Sequence, residues 1–117
     1  MEEDVEMSQT PPPQDDRALA LQHLLEAMKL PAVLAYADKR VFHATQALRK
    51  AGDDREIKAQ SNLILGECHE MQDKWHLAYY EYLAARDCLR AADGGPGRWT
   101  QAMGHALQFC HCKVFPR

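Results

Sequence analysis

Residues 51–93 read AGDDREIKAQSNLILGECHEMQDKWHLAYYEYLAARDCLRAAD. Ile57, Leu63, Ile64, Leu65 and Cys68 recur at helical spacing, which predicts a helix over 54–71. Gly52 ahead of it suits a left-handed terminator of a preceding helix, and Asp53, three residues before Glu56, has the form of a capping box. Asp73 is expected to cap a second helix over 74–92 carrying Trp75, Ala78, Tyr79, Tyr82 and Ala85. Gly66, Ala78 and Ala85 lack bulk, so two such helices can approach closely while Leu65 and Tyr82 fill the seam between them.

The same grammar extends in both directions. Upstream, Asp15 or Asp16 can cap a helix in which Leu21, Leu24, Leu25 and Met28 share a face, with Leu19 beside it. Pro31 interrupts that helix, because a proline lacks the amide hydrogen and crowds the preceding turn. Another helix is predicted over 32–51. Downstream, Gly94-Gly95-Pro96-Gly97 is a turn, and a fifth helix is expected over 98–113. No segment sustains the alternation of a strand. The fold class is all-α, with short connections that set neighbouring helices antiparallel.

The chain also repeats itself. An offset of 41 residues places Leu65 on Leu24, Ala78 on Ala37, Tyr82 on Val41 and Ala85 on Ala44. Leu65-Gly66 followed by Ala78, Tyr82 and Ala85 resembles the tetratricopeptide repeat, in its longer-period form of about forty residues. Asp73 stands where that family has a turn glycine, and His69 where it has tyrosine. The first copy carries Leu25 in place of the glycine, and Met103-Gly104 begins a third. The resemblance implies antiparallel hairpins stacked as a short solenoid of about two and a half repeats over residues 15–113. Residues 1–14 form an acidic, proline-rich tail and 114–117 a short C-terminal one. Since about three repeats are needed for stability, either the last helix acts as a cap, or a partner supplies the missing surface, or, as the favoured expectation, the array is incomplete, a fragment or short isoform. Its C-terminal end would then be open to self-association.

Function follows from the same resemblance. Such repeats are not enzymes and need no cofactor; their first helices line a groove that holds a peptide or helix of a partner protein. Carried onto this chain, the groove comprises Gln22 and Glu26, then Leu63, Glu67 and Glu70, then Gln101 and His105. Members that clamp a terminal carboxylate use lysine, asparagine and arginine where Gln22, Glu26 and Leu63 stand here, so that ligand is not expected. A groove bearing Glu26, Glu67 and Glu70 should prefer neutral or basic segments. The expected role is an adaptor or scaffold.

Composition narrows the remaining classes. The 117 residues carry a net charge of −3, but six acids fall within the first sixteen positions, leaving three more bases than acids from Arg17 onward. That excess is too small and too scattered for a nucleic-acid reader. No apolar run reaches the ~18 residues of a membrane span. Met1 leads into acids, and four cysteines with no secretory leader suit reduced thiols in the cytoplasm or nucleus. Thr10 before Pro11 matches a proline-directed phosphorylation dipeptide.

Other chemistry has weaker support. Cys110-His111-Cys112, with His105 and the Cys68-His69 pair, raises the alternative of a small metal-binding or redox-sensitive protein. On a helix, however, residues two apart point about 200° from one another, and zinc-type spacing is absent. No phosphate loop, G-x-S-x-G or H-E-x-x-H occurs, and Cys68 beside His69 diverges by about 100° on a helix. No metal ligands are therefore assigned. Trp75 and Trp99 each open a predicted helix, where they can cover its end or anchor an interface.

Overall fold

The computed structural model describes residues 13–90 and 100–116, the side chains from residue 16 onward. The leader with Thr10, the turn expected at Gly94–Gly97 and Trp99 lie outside the described residues. Within them the chain is all-helical, without strands. In order come α1 (Pro13–Lys29), a 3-10 turn (Leu34–Tyr36), α2 (Ala37–Lys50), α3 (Arg55–Met71), α4 (Trp75–Leu89) and α5 (Gln101–Val114).

The ends of these elements follow local chemistry. Pro13 opens α1, two residues before the expected start, since the first helical position has no use for an amide hydrogen. Pro31 stops it by forcing the residue before it out of the helical region. Val33 is extended at φ −133°, ψ 159°, so the second helix begins with the 3-10 turn and becomes α-helical only at Ala37, five residues later than expected. Gly52 takes φ +60°, as its role of terminator requires.

Three expected caps are corrected, the first being Asp15 or Asp16, both of which lie inside α1 rather than ahead of it. The cap of α3 is Asp54, whose Oδ1 accepts the Ile57 amide at 3.0 Å, not Asp53. Asp73 caps nothing. It adopts φ +60° between α3 and α4, the conformation usually left to glycine, and Lys74 precedes α4 without a side-chain cap. Thr100, overlooked in the sequence, caps α5 by accepting the Met103 amide at 3.2 Å.

Helices adjacent in sequence pack together, and α1 also touches α3. Arg55 of α3 donates to the Asp87 carbonyl of α4 while His69 meets Glu81, so α3 and α4 run antiparallel. Ala27 with Arg40 and His23 with His43 set the same sense for α1 and α2. One core joins α1, α2 and α3 around Leu24, Ile57, Ile64, Leu65 and Cys68; a second joins Ala78 and Tyr82 of α4 to Cys110 of α5. Each fully buried leucine or isoleucine contributes on the order of 2 kcal/mol.

Burial repeats at the 41-residue offset. Leu24 and Leu65, Ala20 and Ser61, Ala27 and Cys68, Ala37 and Ala78, and Ala44 and Ala85 are all buried. The buried stripe of α1 is thus Ala20, Leu24 and Ala27. Leu25 and Met28, expected on the core face, are more than half exposed. Alanine at these contacts lets helices approach too closely for the longer side chains to enter.

Candidate functional site

The α3–α4 hairpin carries most of the chemistry. At its centre Gly66 leaves room for the Tyr82 ring, and the Tyr82 hydroxyl donates to Glu70 Oε1 at 2.8 Å. Burial and the Glu70 carboxylate beside it push the Tyr82 phenol far above its ordinary range. One turn away His69 Nδ1 lies 2.6 Å from Glu81 Oε1. Burial raises the Glu81 carboxyl above its ordinary value of 4.5, against the opposing hydrogen bond from His69.

Arg40 ties the first hairpin to the second. Its side chain is buried, with Nε donating to the Ala27 carbonyl at 3.3 Å, one terminal nitrogen 3.7 Å from Cys68 Sγ and the other 3.4 Å from Glu67 Oε1. The guanidinium fork suits three acceptors from two helices, where a lysine ammonium would not reach all of them. Sequence reasoning missed Arg40; a charge among Ala37, Val41 and Ala44 was the available signal.

Among the described residues, clefts open on two sides of α3. One, of about 440 Å³, is bounded by Ala32, Glu67, Glu70, Met71 and Trp75. The other, of about 160 Å³, lies between α3, α4 and α5 and is bounded by Leu63, Glu67, Tyr82, Ala102, Met103 and Ala106. Leu63, Glu67 and Glu70 are therefore brought together, with Glu67 on the edge shared by both clefts. The other expected groove residues are not brought to these clefts. Gln101 and His105 are exposed on α5, whose contributions to the smaller cleft are Ala102, Met103 and Ala106. On α1, Gln22 is exposed and Glu26 pairs with Lys29 at 3.3 Å.

The C-terminal cysteines and histidine separate. Cys110 is fully buried between Ala78 and Tyr82, and burial pushes its thiol up to about 11. Cys112 is exposed, while His111 packs edge to face with Tyr79 and tilted against Phe115, at 5.7 and 5.0 Å between centroids. All four thiols are free. Among the described residues no group of three or more histidine, cysteine or acidic side chains is placed to hold a metal ion, and no helix is long and apolar enough to cross a membrane.

No known family model matches the chain. Neither curated proteins nor solved structures give a match. The chemistry of the clefts is thus the main guide to function.

Proposed function

We propose that this chain is a non-catalytic adaptor, a short array resembling tetratricopeptide repeats that holds a peptide or helix of a partner protein against α3. The supporting observation is the pair of clefts meeting at Glu67, with Leu63, Tyr82 and Met103 on one side and Trp75 and Met71 on the other. The shared burial of Leu24 with Leu65, Ala37 with Ala78 and Ala44 with Ala85 favours two equivalent hairpins. Asp73 takes a positive φ at the place where the repeat family has a turn glycine, which supports the resemblance for the second hairpin. Apolar contact in the clefts supplies the affinity, and the carboxylates select against acidic segments.

Peptide-library selection against the chain tests this reading. Peptides recovered on the native protein should be neutral or basic and should lose at least tenfold in affinity for the Glu67→Lys/Glu70→Lys variant. Undiminished binding of every recovered peptide would remove the groove assignment.

A further inference from the structure

The larger cleft has chemistry more specific than the groove around it. Its apolar walls are Ala32, Met71 and the Trp75 indole, and its polar side is formed by Glu67 and Glu70. Among the described residues each carboxylate has one partner through Oε1: Glu67 takes Arg40 at 3.4 Å and Glu70 takes the Tyr82 hydroxyl at 2.8 Å. An ionised carboxylate offers about four lone-pair sites, so both retain acceptor capacity. The Glu67 side chain is 54% exposed, which leaves it open to a further donor.

The Trp75 ring already attracts a cation from within the chain. Lys113 Nζ of α5 stands 5.4 Å from the Trp75 centroid and 5.4 Å from that of Phe109, while the two rings pack edge to face at 5.5 Å. Glu67 and Glu70 line the cleft, Arg40 pairs with Glu67, and Lys113 lies against the Trp75 ring. Arg40 is buried and held by three acceptors. Lys113 is exposed and has the weaker hold, so it is the cation an incoming one can replace.

We propose that this cleft receives one basic side chain of a partner protein, preferentially arginine, and that Lys113 is its internal competitor for Trp75. The inference rests on the groove reading above. An arginine guanidinium is planar, weakly hydrated, able to stack on an indole and able to donate to both carboxylates together. A volume of about 440 Å³ is the size of a small-ligand pocket and takes a side chain rather than a whole helix. A neutral side chain there would cover the remaining acceptor sites of Glu67 and Glu70 without supplying a donor, which is costly.

The test uses the full chain carrying Trp99→Phe, so that Trp75 is its only indole. The probes are a blocked alanine-glycine heptapeptide with a central arginine and its citrulline counterpart, which has the same shape without the charge. Trp75 fluorescence and backbone amide shifts in α3 are followed. The arginine peptide should bind saturably and at least tenfold more tightly than the citrulline peptide. Glu67→Gln/Glu70→Gln, checked by its melting curve to be folded at the assay temperature, should remove that advantage, and Lys113→Gln should tighten arginine binding severalfold.

Equal binding of the two peptides along α3 would overturn cation recognition but leave the groove standing. An arginine preference surviving Glu67→Gln/Glu70→Gln would move the receptor away from this cleft. No tightening with Lys113→Gln would remove the competitor. Silence of Trp75 toward both peptides would end the inference, and the library selection would then judge the groove on its own.

Discussion

The Tyr82 ring lies so close to Gly66 that a methyl group added there would stand 2.8 Å from Cε1 and 3.0 Å from Cδ1. The ring cannot easily retreat, because its hydroxyl is held by Glu70. Gly66→Ala should therefore cost about 1–3 kcal/mol in overpacking, against a gain of about 1 kcal/mol in helix propensity. Urea unfolding should show a net destabilisation of about 1 kcal/mol. In a Tyr82→Ala background the same change should become stabilising, and an unchanged sign would refute the contact.

Asp54 caps α3, and the amide of Ile57, with help from Arg17, holds its carboxyl below the ordinary value of 3.8. A depressed folded value gives stability that is complete above that ordinary value and lost as the pH falls through the folded one. Asp54→Ala should cost about 1 kcal/mol at neutral pH. Asp54→Asn should keep most of the cap and lose this part of the acid dependence. Denaturant midpoints measured from pH 7 down to pH 3 separate the two.

Glu81 has the opposite sign. Its raised carboxyl keeps a proton in the folded chain at pH values where the unfolded chain has released it. This favours the fold fully below pH 4.5, the ordinary value, and fades as the pH rises through the folded value. Glu81→Gln should flatten the stability profile in the window opening upward from that ordinary value. An identical slope in the variant would exclude Glu81 as its source.

Ser61 is fully buried, and its hydroxyl has no hydrogen-bond partner among the described residues. Ala20 occupies the equivalent place in the first hairpin, also at zero exposure. Ser61→Ala should stabilise the protein by about 1 kcal/mol, because an unpaired buried hydroxyl costs about 1–3 kcal/mol and alanine is the better helix former. A lower thermal midpoint in the variant would show that the hydroxyl is satisfied.

Much of the second hairpin was legible because its signals agree with one another. Leu65, Gly66, Ala78, Tyr82 and Ala85 are set by helical period and side-chain volume, and all five are buried; Gly66 and Tyr82 meet at the α3–α4 seam, whereas Leu65, expected there, packs in the α1–α3 core. The first hairpin was harder to read. Leucines occur around most of α1, so hydrophobicity alone did not single out Ala20, Leu24 and Ala27 over Leu25 and Met28. The candidate site was half legible: Leu63, Glu67 and Glu70 share a face of α3, whereas the residues α5 contributes depend on how that helix is rotated. Period does not specify rotation about a helix axis, and the α5 apolar pattern is nearly continuous from Ala102 to Leu107.

The sequence by itself determined the five helices, the Gly52 terminator, the break at Pro31 and the small residues Gly66, Ala78 and Ala85 that let helices approach closely, since these depend on nearby backbone and side-chain chemistry. Only the tertiary structure decided that Asp54 rather than Asp53 caps α3, that Arg40 is buried against Cys68 and Glu67, and that Trp75 shares one cleft with Glu67 and Glu70. Those relationships join residues from different helices. They depend on crossing angles and helix rotations that arise when the alanine-lined faces close together, and no single helix encodes them.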